Sequence, residues 1–267
     1  NAVKLKRLLV WKNNRFSSAA AARIGTSSNV HVEESEFYDF LRVGLSVWES
    51  TNTTVSRCYA NGRGREIIDG GNVPTDRIAG RSEQGFFDNG NDSLFENCIS
   101  EGQRIGFYGA EHTFSNDGQF IGNISVREHR GMALITSPGG GFRNTDRDFV
   151  AYEPVDIGVQ WASPHETHCD GCTLFRTKNL GFLIYHKPGS PAPFGLNTSA
   201  ISRTLALGDV LNADGGFRVR DQGSFSLSDV NVFGFATPWD IQDGGLVVRP
   251  RMTDPQLGEC AILIPEP

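Results

Sequence analysis

The chain has 267 residues, a formal net charge of −6, 38% hydrophobic residues and 5 cysteines. That length allows one large domain or two ordinary ones with a sizeable core, and the negative balance argues against a general nucleic-acid binder. No apolar run approaches the roughly 20 residues that a membrane helix needs, while 31 glycines, and 18 phenylalanines against 2 methionines, favour strands and tight turns over helices.

The N-terminal stretch "NAVKLKRLLVW" already alternates like a strand and lacks an initiator Met, so residues 1–267 read as a portion of a longer chain. From there two kinds of segment alternate. One kind is a short alternating strand, usually opened by glycine: "GLSVWES" (44–50), "GREIIDG" (64–70), "GFYGAEH" (106–112), "GMALITS" (131–137), "DIGVQWAS" (156–163), "GFLIYHKP" (181–188), "GFRVRDQ" (216–222) and "PWDIQDG" (238–244). The other follows the pattern apolar-x-x-small-x-apolar: "VEESEF" (32–37), "VSRCYA" (55–60), "FENCIS" (95–100), "IGNISV" (121–126), "CDGCTL" (169–174), "ISRTLA" (201–206) and "LSDVNV" (227–232). Apart from insertions the period is about 22–27 residues, the signature of a solenoid.

Strand-like alternation in both kinds of segment, scarce helical periodicity and turns of Asn, Gly and Ser make the repeating unit a β-coil. On this periodicity, which covers nearly the whole chain, the protein resembles a right-handed parallel β-helix of the pectate-lyase-like superfamily. The expected fold is therefore an all-β solenoid of about eight or nine coils, a single domain over residues 1–267 with a loop insertion at about 71–92. Phe107, Leu134, Val159, Ile184 and Val219 are expected inside. In "GFLIYHKP" the glycine admits a sharp entry under the neighbouring coil; Phe182 and Ile184 point inward, Leu183 and Tyr185 outward.

The small position of the second pattern gives an inward column of Ser35, Cys58, Cys98, Ile124, Cys172, Thr204 and Val230. Cys58 and Cys98 fall in neighbouring coils, either bonded or stacked as free thiols. Cys169 and Cys172 share "HETHCDGC" with His165 and His168, but the spacing matches no zinc pattern, and burial of Cys172 in the core is the better reading. Asn97 and Asn123 read as a turn ladder.

The outward positions of the glycine-opened strands form columns on one sheet. One contains Ser46, Glu66, Tyr108, Ala133, Gly158, Leu183, Arg218 and Asp240; the next contains Trp48, Ile68, Ala110, Ile135, Gln160, Tyr185, Arg220 and Gln242. Glu49, Asp69, Glu111, Trp161 and His186 stand at the strand ends. Long loops follow the same sheet and would wall a groove. Its aromatic and cationic groups, Trp48, Tyr108, Trp161, Lys187 and Arg218, suit sugar rings and their carboxylates. The resemblance implies an extended polysaccharide lying along this sheet.

Two clusters carry candidate chemistry. Glu49, Asp69 and Glu111, if stacked about 5 Å apart, suit the carboxyl pairs of glycoside hydrolysis, or Ca²⁺ ligation, or a solvated edge. Tyr185, His186 and Arg220, with Lys187 and Arg218, offer the cation and proton-transfer groups that β-elimination of a uronic acid needs. No cofactor other than Ca²⁺ is implied. Neither a "DPH" run nor a "DD" or "GHG" after "NTD" (144–146) is present, which sets aside alginate-epimerase and polygalacturonase patterns. The sequence thus points to an extracellular or cell-surface protein that binds and cleaves an acidic polysaccharide. The rival reading is a non-catalytic adhesin or phage-fibre module that forms a homo-oligomer or larger assembly.

Overall fold

A computed structural model of the chain describes residues 2–11, 20–40, 42–62, 84–109, 116–135, 143–164, 166–185, 199–209, 213–220, 224–242, 246–248, 252–254 and 258–259. These residues hold strands and no helix, and the strands pair into one parallel network closed only at its C-terminal end by an antiparallel pair. Each coil visits three sheets. The first sheet stacks Ala22–Gly25, the start of Val43–Ser56, Gln84–Asn91, Ile105–Gly109, Arg130–Ile135, Ile157–Ala162, Leu180–Tyr185, Gly215–Arg220 and Thr237–Ile241. The second runs through Val3–Lys6, Ser28–Glu33, the end of Val43–Ser56, Leu94–Glu96, Gln119–Ile121, Thr145–Arg147, His168–Asp170 and the start of Ala200–Gly208. The third runs through Leu9–Trp11, Glu36–Tyr38, Tyr59–Asn61, Ile99–Glu101, Ile124–Val126, Val150–Tyr152 and Thr173–Thr177.

Stacking like on like fills the interior. Phe86 lies on Phe107 with ring centroids 5.1 Å apart, Phe95 on Phe120 at 5.3 Å, and Phe182 on Phe217 at 4.4 Å. Such offset pairs add about 0.5–1.5 kcal/mol each beyond their area burial, which accounts for the large phenylalanine count. Phe107, Leu134, Val159, Ile184 and Val219 are all buried, as expected, although they occupy two adjacent inward columns.

Glycine sets the register of the first sheet. A Cβ on Gly85, Gly106 or Gly131 would lie 2.8, 2.7 or 2.5 Å from the carbonyl oxygen of Gly106, Gly131 or Gly158 respectively. No side chain fits between backbones that close, so glycine recurs at one height in successive coils. The ladder corrects two alignments. Gly158 belongs to it, which shifts its strand by two residues: Gln160 pairs with Leu183, Trp161 with Ile184 and Ala162 with Tyr185. Gln84–Asn91, taken from the sequence as the end of a loop insertion, supplies Gly85 and is the first-sheet neighbour of Val43–Ser56. The place given to "GREIIDG" is thereby filled; Glu66, Ile68 and Asp69 lie outside the described residues.

A single left-handed residue turns the chain from the second sheet to the third: φ is +51° at Arg57, +53° at Asn97, +63° at Gly122 and +73° at Gly171. The next residue points inward, giving Ser35, Cys58, Cys98, Asn123, Phe149 and Cys172, all buried. Asn123 stands where Ile124 was expected, and Asn97 stacks with Gly122, so the two asparagines form no ladder. The Asn123 amide instead joins coils directly: its Oδ1 accepts from Cys98 N at 2.9 Å, and its Nδ2 donates to Phe95 O at 2.8 Å. Cys58 and Cys98 are free buried thiols, while Cys169 and Cys172 form a disulfide, which removes both thiolates from any metal site.

Candidate functional site on the first sheet

The outward columns of the first sheet follow from the glycine register. One reads Arg23, Ser46, Phe87, Tyr108, Ala133, Gln160, Leu183, Arg218 and Asp240. The other contains Trp48, Asn89, Ile135, Ala162, Tyr185 and Arg220. This face is not open along its length: Ala133, Ile135, Gln160, Ala162 and Leu183 are buried, so the accessible groups fall into two patches.

The patch toward the N-terminus is aromatic. Arg23 lies over Trp48, with its guanidinium carbon 4.9 Å from the ring. Trp48 stacks on Phe87 at 5.9 Å, and Phe87 on Tyr108 at 5.5 Å. Trp48 and Tyr108, both named from the sequence, thus belong to one platform. Glu49 is exposed at its edge, in a left-handed conformation where the strand bulges between the first and second sheets. Asp69 and Glu111 lie outside the described residues, and the coil position assigned to Asp69 is held by Gln84–Asn91.

The patch toward the C-terminus is built on Leu180–Tyr185 and Gly215–Arg220. Tyr185 pairs with Arg220 in the next coil, and the Arg220 guanidinium carbon lies 5.5 Å from the tyrosine ring centroid. The Tyr185 hydroxyl accepts a hydrogen bond from Gln160 Nε2 at 2.8 Å, which fixes the phenol beside the guanidinium. Arg218 pairs with Asp240, Nε to Oδ2 at 2.7 Å, and Gln242 Nε2 donates to the same carboxylate at 2.7 and 2.8 Å. Arg218 is therefore already neutralised across coils. Gln160 and Asp240 escaped the sequence reading as site residues; their positions in outward columns beside Tyr185 and Arg218 were the available signal. His186 and Lys187 lie outside the described residues.

Trp161 is corrected outright. It is fully buried, on the inward column between Leu134 and Ile184, and is a core residue rather than a sugar platform. Behind it lies Asp146, also fully buried; burial pushes this carboxyl well up from its ordinary range, and the Trp161 indole beside it only partly counteracts that. Asp146 and Asn144 of "NTD" are both interior, so neither this carboxyl nor this amide faces a ligand. Among the described residues no group of three or more His, Cys, Asp or Glu converges as a metal site.

No protein-family model and no curated protein sequence matches the chain. Solved structures do. One is a tailspike protein double mutant of E. coli bacteriophage HK620 in complex with a pentasaccharide, at a TM-score of 0.61 and 10% identity over 86% of this chain and 44% of that one. Another is the catalytic domain of a GH87 alpha-1,3-glucanase in complex with nigerose, at 0.62 and 9% over 93% and 54%. A third is the catalytic unit of a thermostable GH87 alpha-1,3-glucanase from Streptomyces thermodiastaticus, at 0.51 and 11% over 92% and 54%. The chain spans about half the length of these structures. With the stacked parallel sheets, these likenesses define the fold as a right-handed parallel β-helix.

Proposed function

We propose that the chain is a carbohydrate-active β-helix that binds an acidic polysaccharide along the outer face of its first sheet and cleaves it by β-elimination or hydrolysis. The observation that carries this reading is the Tyr185–Arg220 pair, a fixed phenol and a guanidinium on adjacent coils, next to the Arg218–Asp240 pair. A guanidinium matches a uronate carboxylate in both charge and shape. Elimination from a uronate removes the proton at C5, forms the C4–C5 double bond and breaks the bond from C4 to the leaving oxygen, which then takes a proton. Arg220 would stabilise the charge developing on the carboxylate, and Tyr185, with His186, would move the proton. Trp48 and Tyr108 would stack further sugar rings. That fold neighbours were solved with a pentasaccharide and with nigerose supports a saccharide ligand. The Cys169–Cys172 disulfide fits an extracellular, oxidising setting.

The test is incubation with a panel of acidic and neutral polysaccharides, following the ultraviolet absorbance of an unsaturated product and the release of reducing ends in parallel. Absorbance gained together with reducing ends marks elimination. Reducing ends alone mark hydrolysis and move the chemistry toward Glu49, where loss of activity on adding a chelator would identify Ca²⁺. Neither signal with any substrate removes the enzyme reading.

A second reading has its own observation. The third sheet exposes Ile99, Tyr152 and Phe175 on its outer side, with Tyr152 and Phe175 stacked at 5.4 Å. An apolar strip of this kind favours a non-catalytic module that associates with other chains. Sedimentation of the intact protein separates the two, because the enzyme reading needs no association.

A further inference from the structure

A cavity of about 420 Å³ lies on the third-sheet side of the first coils, away from the first-sheet face, lined by Leu9, Trp11, Tyr38, Asp39 and Asn61. Its volume falls in the roughly 300–1,000 Å³ range of small-molecule sites. The register explains how it forms: Trp11, Tyr38 and Asn61 occupy one outward column in successive coils, and Asp39 follows Tyr38 in a left-handed turn with φ of +52°. Trp11 is 71% exposed and Leu9 68%, high values for side chains this apolar.

The polar groups are fixed from behind. The Trp11 indole Nε1–H donates to Asp39 Oδ2, which holds the ring and the carboxylate against each other. The Asn61 amide donates from Nδ2 to the Tyr59 hydroxyl at 2.7 Å; that hydroxyl donates to Glu101 Oε2 at 2.6 Å, and Arg127 anchors Glu101 through Oε1 at 2.6 Å. This chain holds the Asn61 amide against the Tyr59 hydroxyl. The Tyr38 hydroxyl is likewise turned outward to Glu36 Oε2 at 2.8 Å. What faces the cavity is one flat aromatic face, aliphatic surface and the carboxylate of Asp39. A carboxylate has about four acceptor sites, and Trp11 occupies one of those on Asp39.

We propose that this cavity is a second saccharide site, specific for a neutral sugar and separate from the first-sheet face. A pyranose ring presents C–H groups on its flat side, which suit the Trp11 indole, and hydroxyls around its edge, which donate to Asp39. Asp39 brings to the cavity a carboxylate with no ion pair among the described residues, which disfavours a uronate or sulfated sugar. The first-sheet patch, where Arg220 lies beside Tyr185, has the opposite preference. The two sites thus take different parts of a heteropolymer, or hold a chain while another part of it crosses the first sheet.

The experiment is isothermal titration of the intact protein with neutral oligosaccharides of glucose, galactose, mannose and N-acetylglucosamine, and separately with oligogalacturonate. At least one neutral oligosaccharide is expected to bind. Trp11→Ala should weaken that binding roughly tenfold or more by removing the stacking face, Trp11→Phe should retain part of it, and Asp39→Ala should weaken it comparably. Arg220→Ala should leave it unchanged. Circular dichroism of each variant checks the fold. Absence of binding by all the neutral sugars overturns the proposal, as does neutral binding that survives Trp11→Ala or disappears in Arg220→Ala. Oligogalacturonate reports on the first-sheet reading alone, so the two readings stand or fall separately.

Discussion

Replacing Asp88 by Asn tests how this solenoid tolerates polar groups in its core. Asp88 sits on the inward column of the first sheet between Val47 and Gly109 and is 1% exposed. Its Oδ1 accepts from Gly90 N at 3.0 Å, whereas Oδ2 faces Gly118 and has no hydrogen-bond partner. Burial pushes this carboxyl up to about 7, only partly offset by the Gly90 amide and the Ser93 hydroxyl. In the unfolded chain an aspartate titrates near 4. Because the folded value is raised, the contribution to stability is full below about pH 4, falls as pH climbs through this window, and is gone once pH passes about 7. A rise from about 4 to about 7 corresponds to on the order of 4 kcal/mol. Asparagine keeps the acceptor for Gly90 and cannot ionise. Urea unfolding at pH 5 and pH 8.5 should therefore show the wild type losing stability with pH, and Asp88→Asn losing roughly 3 kcal/mol less. Asp146, raised in the same direction, leaves a residual slope in the variant. An identical pH slope in both proteins would refute the account, as would an Asp88→Asn variant less stable than wild type at pH 8.5.

Other consequences can be measured independently. Gly131→Ala places a Cβ 2.5 Å from Gly158 O and 2.9 Å from Ala151 Cβ, neither of which can swing away, so it should destabilise by at least the ~1–3 kcal/mol typical of overpacking; Gly25→Ala, which meets only Arg23 Nε at 3.6 Å, is the control and should stay near wild type in the same denaturation assay. Cys58 and Cys98 should react slowly with a thiol reagent in native buffer and rapidly in denaturant; burial pushes the Cys98 thiol well up, whereas its hydrogen bond lowers Cys58, so Cys58 should be the faster of the two to react. Tyr185→Phe should lower turnover by roughly 10²-fold if the phenol transfers a proton, with binding little changed, while Arg220→Ala should weaken both; full activity in each would remove the C-terminal patch from the mechanism. Trp161→Ala should cost about 3–5 kcal/mol as a core truncation, and a ligand affinity that falls while calorimetric stability holds would return Trp161 to the site.

Alternation and a repeat of roughly two dozen residues are local properties of a chain. Hence the coil, the inward placement of Phe182 and Ile184, the outward placement of Tyr185 and the pairing of Tyr185 with Arg220 were all legible in the sequence. The buried column through Cys58, Cys98 and Cys172 was legible too, because small residues recur beside the turn from the second sheet to the third. Register between coils is not a local property. It is decided where backbones come within a Cβ of one another, and the glycine ladder alone moved Trp161 from the groove to the core and put Gln84–Asn91 in the coil assigned to "GREIIDG". Tertiary structure also decided which polar groups meet, since the ion pair of Arg218 with Asp240 and the hydrogen bond of Trp11 to Asp39 join residues 22 and 28 positions apart. The same holds for the buried carboxyls of Asp88 and Asp146 and for the lateral cavity: Asp88, Asp146, Trp11 and Asn61 have unremarkable sequence neighbours, and their character comes from the coils stacked on either side of them.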